Sequence, residues 1–204
     1  MRGWISAAVA VTVLAVTVSA QDSRTSGSLD KPFSAKGSVK MDLVAGDYHI
    51  VGSTENRVRI DWSVRDPEAL HKVRASAEVR GRDLSITTDG PSNNHLKFAI
   101  QVPNDSDLYV RMTAGDLTIE DIRGNKDVEL RAGDLRIDVG RPEDYNRVDA
   151  GLWAGDLKAS AFQIVKEGLF RSFDWKGNGP YRLHAHLLAG DLYLYSKSGS
   201  RAER

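Results

Sequence analysis

Five copies of the tripeptide Ala-Gly-Asp, starting at Ala45, Ala114, Ala132, Ala154 and Ala189, share one hydrophobic frame. Counting from the glycine, position −5 is Met41, Val110, Val128, Ala150 and Ala185, and position −3 is Leu43, Met112, Leu130, Leu152 and Leu187. Position +2 is Tyr48, Leu117, Leu135, Leu157 and Leu192, and position +4 is Ile50, Ile119, Ile137, Ala159 and Leu194. Intervening positions are mostly polar, such as Arg111, Glu129, Arg136 and Lys158. A spacing of two marks a β-strand with one buried face. The buried set runs −5, −3, −1, then +2 and +4, so the parity breaks at Gly-Asp. A straight strand would turn its second half outward; a corner or bulge keeps both halves inward. Gly adopts positive φ without strain, and Asp accepts backbone N–H bonds in tight turns. The triplets therefore predict structural corners at Gly46-Asp47, Gly115-Asp116, Gly133-Asp134, Gly155-Asp156 and Gly190-Asp191.

The glycine-to-glycine intervals are 69, 18, 22 and 35 residues. A period near 20 suits one turn of a repeat architecture. The expected fold is all-β: a single-domain, β-helix-like β-solenoid of stacked short strands, with an antiparallel β-sandwich as the alternative. Asp83-Leu84-Ser85-Ile86 reads as a degenerate copy inside the long interval. Asp66 can cap a short helix through Val73, with Pro67 in its first turn.

The N-terminal residues 1–20 read as a secretory signal peptide. Arg2 supplies a positive start, Ala7–Val18 an apolar run, and Val18-Ser19-Ala20 a cleavage site; an uncleaved anchor is the alternative. Residues 21–34 are polar and read as a flexible leader, 35–195 as the repeat domain and 196–204 as a polar tail. Cysteine is absent, so no disulfide holds the fold. Twenty-eight basic and 28 acidic residues balance, which leaves no broad field for nucleic acid.

Phe98-Ala99-Ile100-Gln101-Val102-Pro103, then Leu108-Tyr109-Val110, then Gly-Asp-Leu at residues 115–117, 133–135 and 190–192 carry a resemblance. Over roughly residues 35–195 the chain resembles a family of bacterial exported putative adhesin domains of unassigned function. The resemblance implies a β-solenoid and carries over no catalytic residue.

Several residues are candidate sites. Trp153, Trp175, Tyr193 and Tyr195 read as outward aromatics near the C-terminus, able to stack on sugars or to cover an open end of the fold. Trp62 reads as core. His184 and His186 share an outward strand face and could ligate Zn²⁺, with Asp174 as a conceivable third ligand, or could simply be solvated. The corner aspartates could hold Ca²⁺ or satisfy the backbone of their own corners. The expectation is no metal and no cofactor. Thiol nucleophile, Gly-x-Ser-x-Gly, His-Glu-x-x-His and phosphate-loop signatures are absent. The sequence thus points to a non-enzymatic protein of the cell envelope, periplasmic, surface-bound or secreted. Its expected work is binding or scaffolding, as an adhesin for a surface polysaccharide or protein. The alternatives are a self-assembling structural protein and a polysaccharide-acting hydrolase.

Overall fold

The computed structural model describes residues 25–91 and 95–197. The expected signal segment, part of the Gly90–Asn94 loop and the end of the polar tail lie outside them. The first strands are β1 (Ser26–Pro32), β2 (Ser38–Leu43), β3 (Asp47–Ser53), β4 (Arg57–Ser63) and β5 (Arg74–Arg80). Next come β6 (Asp83–Asp89), β7 (Lys97–Pro103), β8 (Asp107–Ala114), β9 (Leu117–Glu120) and β10 (Lys126–Ala132). The last are β11 (Leu135–Asp138), β12 (Tyr145–Ala159), β13 (Ile164–Lys176), β14 (Tyr181–Ala189) and β15 (Leu192–Tyr195). Three short 3-10 helices interrupt them, at Pro67–Lys72, Pro142–Asp144 and Ser160–Phe162. The first is the helix expected there: the Asp66 carboxylate accepts the Glu68 N–H at 3.0 Å and Pro67 opens the turn. Among the described residues no helix is long and apolar enough to cross a membrane.

The strands do not form the expected solenoid. They make one continuous sheet in the order β1-β4-β7-β3-β9-β11-β15-β12-β14-β10-β8-β2-β6-β5, with β13 attached to β12. The sheet bends back until it nearly closes, barrel-like: its two end strands meet where the Lys31 ammonium donates to the Ala77 carbonyl. A solenoid winds in chain order. Here the fifth copy, β14–β15, is threaded between the third copy, β10–β11, and the fourth, in β12. Antiparallel partners also enter, β1 with β4, β4 with β7, β5 with β6 and β12 with β13. The alternative sandwich fails as well, because the copies pair parallel within one sheet. The apolar spacing specifies which face is buried; it does not specify the order in which strands are threaded. The long interval holds β4 to β7, and the 35-residue interval holds the β12–β13 hairpin.

Part of the expected leader is structured. β1 pairs antiparallel with β4 from Ser26↔Ser63 to Pro32↔Arg57. Leu29 packs against the core and Gly27 lies under the Trp62 ring, contacts that a polar, Ser-rich composition does not advertise.

Like positions of the copies stand side by side. Met112, Leu130 and Leu187 neighbour one another across β8, β10 and β14, as do Leu117, Leu135 and Leu192 across β9, β11 and β15. All side chains at −5, −3, +2 and +4 are buried, in every copy. Full burial of one Leu or Ile contributes about 1.5–3 kcal/mol. The alanines at −1 are not in this core; they sit half-buried or exposed on the corner itself.

The corners explain the tripeptide. Gly115, Gly133, Gly155 and Gly190 have φ between +108° and +132°. Their backbones stack in the order Gly46, Gly115, Gly133, Gly190, Gly155, each N–H of the first four donating to the alanine carbonyl of the next layer. Three of the five corner aspartates serve the adjacent layer. Asp116 Oδ1 accepts the Asp134 N–H, Asp134 Oδ1 the Asp191 N–H, and Asp191 Oδ1 the Asp156 N–H, at 3.3, 3.3 and 3.0 Å. The Asp156 N–H, followed by the Tyr193 hydroxyl, holds the Asp191 carboxyl below its ordinary pKa.

Candidate functional site

β13 is an open edge of the sheet. It pairs with β12 from Arg147↔Lys176 to Ala159↔Ile164, and among the described residues no strand pairs with its other side. An unpaired edge offers a row of N–H and C=O groups to another chain. This one is also apolar: Val165, Leu169 and Phe170, with Trp153 and Leu188 on the neighbouring strands, are 54–64% exposed. The Trp153 and Phe170 rings meet at 4.4 Å between centroids, tilted by 59°. Phe170 holds φ +54°, a conformation unfavourable for a bulky residue. A depression of about 540 Å³ lies beside the two rings, and its lining includes Gly151, Leu152, His186 and Leu188. Clustered, exposed large apolar side chains of this kind mark interaction surfaces.

Next to this edge runs a polar row. The registers place Tyr109, Asp127, His184, Asp149 and Asp174 in line across β8, β10, β14, β12 and β13. His184 Nδ1 lies 3.4 Å from Asp149 Oδ2, and His186 Nε2 lies 3.6 Å from Asp149 Oδ1. The two imidazoles stack with centroids 4.1 Å apart. Asp174, the third partner considered from sequence, instead pairs with Arg147 at 2.8 Å. Asp149 was legible in principle: it stands six before Gly155 as His184 stands six before Gly190, so aligning the copies sets them abreast.

The four aromatics singled out from sequence occupy different settings. Trp153 belongs to the exposed edge. Trp175 is half-buried, its ring 5.2 Å from Phe162. Tyr193 donates to Asp191 Oδ2 at 2.9 Å, with Arg136 and Lys158 over its ring. Tyr195 donates to Glu120 Oε1 at 2.7 Å, and this carboxylate also meets His49 and Lys197 at 2.8 and 3.0 Å. Burial would raise the Glu120 pKa, but the bonds from Tyr195, Lys197 and His49 together outweigh it and hold it at about 2. The two tyrosines are thus engaged in the wall, while Phe170, Leu169 and Leu188 were missed because periodicity marks apolar residues as core.

A second concavity lies on the outer face of β1, β4, β7, β3, β9 and β11. It encloses about 1140 Å³, and its lining includes Trp62, Asp61, Lys97, Asp47, Asp116 and Arg136. Trp62 was expected in the core; it is half-buried, lying over Gly27 with its ring 6.5 Å from Phe98.

No protein-family model matches this chain, and no curated protein sequence matches it. Among solved structures, one described as a "putative cell adhesion protein" from Clostridium sporogenes shares the fold at a TM-score of 0.57 and 14% identity. The match covers 84% of this chain and all of that one. Two weaker matches are a "putative adhesin" from Bacteroides fragilis and a "putative lipid binding protein" from Parabacteroides distasonis. The first has 10% identity, a TM-score of 0.31 and coverage of 84% of this chain and 97% of that one. The second has 10% identity, a TM-score of 0.27 and coverage of 83% and 96%. The likeness to the first is one of fold.

Proposed function

We propose that this chain is a non-enzymatic, exported scaffolding protein of the cell envelope that assembles with itself through the open edge of β13. The observation that carries this reading is the coincidence of an unpaired strand edge with Val165, Leu169 and Phe170, all exposed. The second copy is the occupant that the sequence of β13 fits. Antiparallel pairing of the strand with itself about Phe170 sets Lys166 of one copy opposite Asp174 of the other, twice, as a two-fold contact requires. Export rests on Arg2, the Ala7–Val18 run and Val18-Ser19-Ala20; intact mass of the protein purified from the envelope is expected to begin at Gln21, and a mass including Met1 would reject cleavage. Sedimentation velocity is expected to show a concentration-dependent dimer that Leu169→Lys dissociates, because the pairing sets residue 169 opposite Arg171 of the second copy and like charges there repel, with unchanged thermal melting of the monomer. A monomer at all concentrations, or a dimer indifferent to Leu169→Lys, would reject the assembly.

A second reading is favoured by the groove at Trp62. A flat indole edge beside charged and hydroxyl groups suits stacking and hydrogen bonding to a sugar polymer. It fits the adhesion role named for the Clostridium protein. The expected result is retention on immobilised peptidoglycan or another envelope polysaccharide, lost in Trp62→Ala and weakened in Lys97→Ala, a variant that removes an exposed side chain. Equal retention of all three proteins, or none by the wild type, would remove the groove from consideration.

A further inference from the structure

From the geometry of His184, His186 and Asp149 we infer a Zn²⁺-type transition-metal site on the outer face of β12 and β14, adjoining the apolar depression that His186 also lines. The three side chains each offer a ligand atom, and these lie within 4.8 Å of one another. The nitrogen–oxygen distances of 3.4 and 3.6 Å are long for hydrogen bonds. The two contacts use different oxygens of Asp149, so capture of one ion turns the carboxylate to present a single oxygen and swings the stacked rings apart; metal–ligand bonds of about 2.0–2.1 Å set neighbouring donors roughly 3.3–3.4 Å apart, close to the separations already present. Two imidazoles and one carboxylate form a donor set suited to Zn²⁺ rather than to the oxygen-seeking Ca²⁺ or Mg²⁺.

The backbone prepares this arrangement. His184 stands directly across from Asp149, and His186 directly across from Gly151. A Cβ on Gly151 would come within 3.3 Å of the His186 ring, so glycine leaves the imidazole room to lie over β12. The surrounding charges also sort the ligands. Arg111 pairs with Asp127 and Glu129 on one side, at 3.1 and 3.2 Å, and Arg147 pairs with Asp174 on the other. Among the described residues the ion pairs of Asp149 are with the two histidines. Its negative charge is therefore the one in the row with no arginine or lysine against it, and a bound dication would meet it. The three ligands are each partly exposed, so a fourth coordination position faces solvent and is open to water or to a carboxylate from another molecule.

Calorimetric titration of ZnCl₂ into the metal-stripped protein tests the inference. One equivalent is expected to bind, with affinity at least about tenfold weaker in His186→Asn and in Asp149→Asn. CaCl₂ and MgCl₂ are expected to give no binding at the same concentrations. Cobalt substituted for zinc should show a tetrahedral ligand-field spectrum that both variants lose, while metal-free melting temperatures stay unchanged because the three side chains are at the surface. Absence of Zn²⁺ binding, binding that survives both substitutions, or equal binding of Ca²⁺ would overturn the site.

Discussion

Gly133→Ala is expected to destabilise the protein by about 4 kcal/mol or more, enough to leave little folded protein at 37 °C. A Cβ at residue 133 would stand 2.1 Å from the Gly115 carbonyl oxygen, and the three nearest atoms are all Gly115 backbone, with no flexible side chain to move. The same holds down the stack: Gly115 meets the Gly46 oxygen at 2.0 Å, Gly190 the Gly133 oxygen at 1.9 Å and Gly155 the Gly190 oxygen at 1.8 Å. Positive φ alone costs about 1–2 kcal/mol for an L-residue. Gly81 separates the two effects, since it has φ +64° with nothing within 4 Å of an added Cβ. Gly81→Ala is therefore expected to cost about 1 kcal/mol. Urea midpoints of the two variants measure the difference; equal midpoints would mean that conformation, not stacking, places glycine at the corners.

Lys126→Ala is expected to cost about 3 kcal/mol near neutral pH, from a cavity and two orphaned polar groups. The Lys126 ammonium is buried, donating to the Ile122 carbonyl at 2.8 Å and to the Tyr145 hydroxyl at 2.7 Å. Burial lowers its pKa to about 8, against the opposing pull of Asp138, Asp107 and Asp144. A folded pKa below the unfolded one means the unfolded chain holds its proton longer. Stability therefore rises with pH between about 8 and 10, by about 2 kcal/mol at 1.36 kcal/mol per unit. Above pH 10 the buried Tyr48 and Tyr145, whose pKa values burial raises, act with the opposite sign and close that window. Lys126→Met keeps the volume and is expected to cost less than Lys126→Ala. Both variants should lose the alkaline rise, and a rise of undiminished size in Lys126→Met would assign it to another group.

The repeat made the core legible. Positions −5, −3, +2 and +4 could be named as inward from spacing alone, because alternation and its break at Gly-Asp report directly on a two-sided sheet. The threading was not legible. Nothing in the frames around Gly155 and Gly190 says that the later copy lies between Gly133 and Gly155, and β1 has too little apolar character to be distinguished from a leader. Exposed Leu169 and Phe170 carry the same letters as buried Leu130 and Phe173; only the missing neighbour beyond β13 makes them a surface. His184 and His186 were visible as a pair, whereas Asp149 required the copies to be laid side by side.

Amide hydrogen exchange across residues 164–176, at protein concentrations spanning the assembly, reads directly whether the free edge of β13 is covered by a second copy. The β13 amides on the side away from β12 are expected to become protected as concentration rises, and Leu169→Lys is expected to remove the protection. Exchange in β13 that is equally fast at every concentration would contradict assembly through this edge.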